Sequence, residues 1–135
     1  MIVLDTSALI AVLRLAPDAD GFLRMIAARQ CAMSTLSLLE TSMVLAGRAT
    51  DYGFAALDEF IAAANIEIAP FDDVQMRIAR AAYLRYGKGR HPAALNLSDC
   101  ASYALAKSRR LPLLYRGEDF AQTDVLPALV AQPHL

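Results

Sequence analysis

The chain has 135 residues, 56% of them hydrophobic and 20% charged, with a formal net charge of −1. That length suits one domain, residues 1–135, with a core that needs no covalent staples, and the composition excludes a disordered chain. The charge excludes a generally basic nucleic-acid coat, so a polyanion would have to be received through a metal or a local rim of Arg and Lys.

Met1 to Leu4 form an apolar run too short for a helix, followed by Asp5, Thr6 and Ser7 and then by helically spaced Leu9, Ile10 and Leu13. This pattern predicts a buried strand ending at Asp5 and a helix over about Ser7 to Arg14, with Pro17 and Asp18 turning the chain behind it. In parallel α/β sheets the carboxyl ends of strands open into the ligand crevice, which places Asp5 at the mouth of a site. The alternative is that Asp5 caps the next helix.

Phe22, Leu23, Ile26 and Ala27 give a helix over 19–29 that leaves Arg24 and Arg29 outward, and Cys31 to Ser34 read as a second short buried strand. Ser37 followed by Glu40 opens a helix through Met43, Val44 and Ala46. That spacing is also a capping box, in which Glu40 reaches back to a backbone amide. Asp51 to Ala64 predict a helix with Phe54, Leu57, Phe60 and Ile61 inward. Ile66 to Ala69 alternate like a strand that Pro70 stops.

Asp72 and Asp73 precede a helix carrying Val74, Ile78, Ala81 and Ala82, where acids suit the helix dipole. Gly87-Lys88-Gly89-Arg90-His91-Pro92 is the clearest loop and, with Arg85, the densest basic cluster. It reads either as a solvated connection or as a rim contacting RNA phosphates through Lys88, Arg90 and His91. No second His or Cys is spaced to join His91 on a metal.

Leu97-Ser98-Asp99-Cys100-Ala101 starts a helix continuing through Ala104 and Leu105, with Asp99 in its first turn, where capping alone would explain it. Leu111 to Tyr115 read as a buried strand ending in the polar loop 116–120. Val125 to Val130 read as a last edge strand, since Pro127 suits an edge, and residues 132–135 as a loose tail. Strands alternating with helices predict an α/β fold with a parallel, doubly wound sheet. Cys31 and Cys100 lie far apart in apolar contexts, which predicts buried, reduced thiols. Asp5 and Arg14 interrupt the apolar amino terminus, and no segment reaches the length of a membrane span, so a soluble, cytoplasmic protein is expected.

Asp5, Glu40, Asp99 and the Glu118/Asp119 pair all fall just past a strand or in an adjoining first helical turn. Gathered together they would repel one another and would have to protonate or bind a cation. The cation suited to carboxylates is hard and oxygen-seeking, Mg²⁺ or Mn²⁺. Such an ion activates water against a phosphodiester and offsets charge on the leaving oxygen. Thr6 and Ser7 are placed to orient that water or a carboxylate.

Val3-Leu4-Asp5-Thr6-Ser7-Ala8, the Ser-x-x-Glu helix start at Glu40, Leu-Ser-Asp-Cys-Ala-Ser-Tyr-Ala-Leu-Ala around Asp99, and Gly117-Glu118-Asp119-Phe120 together resemble the PIN-domain ribonucleases, specifically VapC-type toxins. The resemblance spans nearly the whole chain, including the loop at 86–92 and Thr123-Asp124. It implies a three-layer α/β/α fold around a mainly parallel sheet of four or five strands. It also implies Mg²⁺-dependent endonuclease action on RNA, homodimerisation, a higher toxin–antitoxin complex and neutralisation by a VapB-type antitoxin. By that resemblance Asp5, Glu40 and Asp99 form the metal-binding acidic triad, with Asp119 as the preferred fourth acid and Glu118 as the second choice.

An acidic pocket is a natural receptor for an inserted Arg, whose guanidinium bridges carboxylates, so an antitoxin segment is expected near Asp5 and Asp99. Two other readings compete. One is aspartyl-phosphate chemistry on Asp5, weakened because Lys88 and Lys107 are the sole lysines and position 7 is not a second acid. The other is a catalytically inactive module binding RNA or protein, weakened because an acid stands at every motif position.

Overall fold

The structure is a computed structural model and describes residues 1–46 and 53–129. Four parallel strands, β1 (Ile2–Leu4), β2 (Cys31–Ser34), β3 (Glu67–Ala69) and β4 (Leu113–Leu114), form one sheet in the order β3-β2-β1-β4. Among the described residues six α-helices surround it: α1 (Thr6–Leu13), α2 (Ala19–Ala28), α3 (Thr35–Ala46), α4 (Gly53–Ala63), α5 (Asp73–Tyr86) and α6 (Leu97–Arg109).

The strands are short and apolar because both faces of the sheet are covered, as parallel sheets require. Side chains alternate between two cores, one on each face. Val3, Ala32, Ala69 and Leu113 pack with α5 and α6, through residues such as Ala82, Tyr86, Cys100 and Ala104. Ile2, Leu4, Cys31, Met33 and Leu114 pack on the other face with Leu9, Val12, Phe22, Ile26, Leu45 and Leu57 of α1 to α4. The result is the α/β/α sandwich that the sequence predicts, with four strands. Cys31 and Cys100 are both buried and free. No described helix is long and apolar enough to cross a membrane.

Several local expectations are corrected. The helix after β2 begins at Thr35, because the Ser34 hydroxyl accepts the Leu36 amide at 3.2 Å and starts the turn early. Ser37 therefore lies inside α3, fully buried, and the Ser37/Glu40 capping box does not form. Phe54 and Leu23, expected inward, are exposed. Strand β4 is shorter than 111–115, since Pro112 has no N–H to give the ladder and serves only as acceptor from the Val3 amide at 2.8 Å. The edge strand expected over Val125 to Val130 reduces to one bridge between Leu113 and Pro127. The Leu113 amide donates to Leu126 and its carbonyl accepts from Ala128. Asp51, Val130 and the tail 132–135 lie outside the described residues.

Strand order reverses at β1: the chain steps outward through β2 to β3 on one side and then crosses back to place β4 on the other side of β1. That is a switch point, where carboxyl ends of parallel strands leave a crevice. Asp5 follows β1, α3 with Glu40 follows β2, and Asp119 follows β4.

Candidate functional site

Asp5 is the N-cap of α1, only 2% exposed. Its Oδ2 accepts from the Ser7 amide at 3.0 Å and from the Ser7 hydroxyl at 2.6 Å. Its Oδ1 accepts from the hydroxyl of Ser102, on α6, at 2.6 Å. The cap that the sequence offered as an alternative is thus present, and the same carboxylate also reaches across the sheet to a second helix. Ser7 is further fixed by the Arg116 amide, which donates to its oxygen at 2.9 Å. The Thr6 hydroxyl is engaged elsewhere than on Asp5. It donates to the Ser37 carbonyl at 2.9 Å, which ties α1 to α3.

Asp99 lies in the first turn of α6 within a capping box. The Asn96 amide donates to its Oδ2 at 3.0 Å, and the Asp99 amide donates to Asn96 Oδ1 at 2.9 Å. Burial pushes the Asp99 carboxyl up to about 7; the Asn96 amide pulls against this, and the charges of Asp5, Glu40 and Asp119 add to the rise. The three other acids therefore project their charge onto Asp99 from three different elements. Glu118 is not among the charges that raise Asp99; its charge bears on Tyr115 instead.

Compensation is missing here. Among the described residues none of Asp5, Glu40, Asp99 and Asp119 takes part in an ion pair. Asp124 shows the contrast. Burial would raise its carboxyl, but the Tyr103 hydroxyl at 2.6 Å, Lys107 at 3.1 Å and Arg85 hold it below the usual range. Glu40 borders a groove with Leu36, Leu39, Met43, Val44, Leu97 and Ser98. On that wall the Ser98 hydroxyl is buried and has no hydrogen-bond partner among the described residues.

Two turns deliver these side chains. Gly117 adopts φ +99°, a conformation suited to glycine, in the bend between β4 and Asp119. Gly87 lies so close to the Tyr83 carbonyl and ring that any Cβ would collide, and it opens the basic loop. Lys88 and Arg90 are exposed there, with the Arg90 guanidinium 5.7 Å from the Tyr83 ring centre. His91 is half-buried; its Nδ1 accepts from the Ala93 amide at 3.0 Å and its ring stands edge-on to Tyr86.

The donor set consists of carboxylate and hydroxyl oxygens, which suits a hard divalent ion in kind. Among the described residues no three of His, Cys, Asp or Glu are already gathered closely enough to hold one. Asp5, Glu40, Asp99 and Asp119 share one electrostatic neighbourhood without forming a closed cage. Ser102 is the residue that reading the sequence missed. Its signal was its place three residues after Asp99, one helical turn along the same face.

The chain matches the PIN domain family model over residues 2–126. It is 46% identical over 132 residues to ribonuclease VapC30 of Mycobacterium tuberculosis, covering 97% of this chain and 99% of that protein. It is 47% identical over 124 residues to ribonuclease VapC of Mycolicibacterium smegmatis, covering 91% and 96%. Its fold is similar to that of Mycobacterium tuberculosis VapC20, a sarcin–ricin-loop-cleaving toxin, with a TM-score of 0.76, 17% identity and coverage of 93% and 97%. The VapBC2 structure of Rickettsia felis, bound to a promoter DNA fragment, superimposes with a TM-score of 0.71 at 17% identity over 94% and 96%. With its strand-end carboxylates and its full-length match to these ribonucleases, the chain belongs to the PIN-domain family, among the VapC ribonucleases.

Proposed function

We propose that the chain, as one domain, is a divalent-metal-dependent endoribonuclease and the toxin of a VapBC-type pair. The observation that carries this reading is the convergence of charge on Asp99, where Asp5, Glu40 and Asp119 act together with no cation paired to any of them among the described residues. A cluster of like charges is costly and persists where it serves a ligand. The ribonuclease names of the relatives support RNA as the substrate.

Asp5, Glu40, Asp99 and Asp119 would hold the ion, Mg²⁺ with Mn²⁺ as substitute. When bound, it supplies acidification of water and neutralisation of charge on the phosphodiester. The chain's own residues do the rest. Ser7 and the α1 amide fix Asp5, and the capping box fixes Asp99 on the first turn of α6. Lys88 and Arg90, with His91 beside them, meet the RNA backbone as point charges from the exposed loop.

The same acids suit a protein inhibitor. A VapB-type antitoxin would place a guanidinium between Asp5 and Asp99 and seat apolar side chains along Leu36, Leu39, Met43 and Leu97. Toxin–antitoxin complexes and homodimers are the assemblies this reading implies. An antitoxin complex that left the acids open and metal-loaded would exclude this mode of inhibition.

The test is RNA cleavage by the native protein and by Asp5→Asn, each in Mg²⁺ and then in EDTA. Cleavage by the native protein in Mg²⁺ alone is expected. Cleavage untouched by both changes rejects the metal mechanism, and no cleavage in any condition favours an inactive binding module.

A further inference from the structure

Each oxygen of an ionised carboxylate offers two in-plane acceptor positions. Asp5 Oδ2 has both filled, by the amide and the hydroxyl of Ser7. Asp5 Oδ1 has one filled, by Ser102, and one open. A carboxylate cannot donate, so the single proton of the Ser102 hydroxyl belongs to Asp5. The 2.9 Å contact between Ser102 and Ser37 must then run from Ser37, which donates its own proton to Ser102. Both serines are fully buried.

This relay joins the three elements that carry three of the four acids. Ser37 lies one turn before Glu40 on α3, Ser102 lies one turn after Asp99 on α6, and Asp5 follows β1 as the N-cap of α1. The order Ser37 to Ser102 to Asp5 therefore sets the relative register of all three. It also polarises each bond in one direction, which strengthens the last.

We propose that Ser102, itself held by Ser37, is the positioning residue that turns the open acceptor of Asp5 Oδ1 toward the metal. The proposal rests on the reading of Asp5 as a metal ligand. Removing the Ser102 hydroxyl leaves Asp5 anchored on Oδ2 alone and free to rotate about that side. Hydrogen-bond partners of ligands typically account for about 10- to 100-fold in metal affinity.

The test is Mn²⁺ binding to the metal-free full chain, followed by titration calorimetry, with RNA cleavage measured across Mn²⁺ concentration. The proteins are native, Ser102→Ala, Ser37→Ala, Ser102→Thr and Asp5→Asn. Ser102→Ala is expected to weaken Mn²⁺ binding about tenfold or more, with cleavage recovered at high Mn²⁺. Ser37→Ala, which keeps the Ser102–Asp5 bond, should weaken it less, and Ser102→Thr should restore it. If Ser102→Ala fails to fold, Ser37→Ala decides alone: native affinity overturns the relay. Native Mn²⁺ affinity in Ser102→Ala, while Asp5→Asn abolishes binding, overturns the proposal and leaves the metal reading standing. Native affinity in Asp5→Asn overturns the metal reading itself.

Discussion

Asp99 and Asn96 exchange hydrogen bonds, backbone amide to side-chain oxygen in both directions, at 2.9 and 3.0 Å. The acid that feels the other three carboxylates is therefore also the one that secures the start of α6. Structural and catalytic demands meet in one side chain, and its protonation reports on both.

The first consequence concerns stability. In the unfolded chain the Asp99 carboxyl ionises near about 4, whereas burial and its acidic neighbours push it up to about 7 in the fold. Between those values the folded state holds a proton that the unfolded state has lost. Metal-free stability should therefore fall as pH rises from about 4 to about 7 and level off above. Asp99→Asn keeps an acceptor for the Asn96 amide and should flatten that slope. Urea unfolding in EDTA at several pH values measures it; a slope identical in both proteins would place the effect elsewhere.

Metal binding should show the opposite trend. An ion bound through Asp99 competes with its proton, so Mn²⁺ affinity should rise by up to about tenfold per pH unit below about 7 and plateau above it. Calorimetry at pH 6 and pH 8 suffices. Affinity independent of pH would remove Asp99 from the ligand set.

The neighbouring acids of the β4 loop should separate cleanly. The charge of Asp119 raises Asp99, and that of Glu118 raises Tyr115. Asp119→Asn should lower cleavage at limiting Mn²⁺ by about 10- to 100-fold, while Glu118→Gln stays near native. The reverse ranking would move the fourth acid to Glu118.

At the basic loop, Lys88→Ala and Arg90→Ala should weaken RNA binding without changing Mn²⁺ affinity. Each should also reduce the slope of log affinity against log salt by about 0.7, the value for one lost contact to a single strand. An unchanged slope would make the loop a solvated connection.

Much of this was legible in the sequence because strand ends and first helical turns leave local marks. Asp5 after Ile2 to Leu4, and Asp99 just after Leu97 and Ser98 at a helix start, carry the spacing of a cap, and the parallel sheet sends such caps to one edge. Glu40 was expected in the first turn of its helix, but α3 starts at Thr35 and carries it in the second turn, without its supposed capping partner. The Ser34 hydroxyl starts α3 early and turns Ser37 inward, toward Ser102. Ser102 stands one turn from Asp99, but that spacing alone does not reveal that its hydroxyl reaches a carboxylate 97 positions away in the chain. Pro112 and Pro127 shortened what apolar composition read as full strands, because neither can donate to a ladder.

The central claim is that one divalent ion site is shared by acids from separate elements. The most direct measurement is anomalous diffraction from crystals of the native protein soaked in Mn²⁺. The account predicts a manganese peak within coordination reach of Asp5 Oδ1 and of the Asp99 carboxylate. A well-occupied peak away from both residues, or none at saturating Mn²⁺, would contradict it.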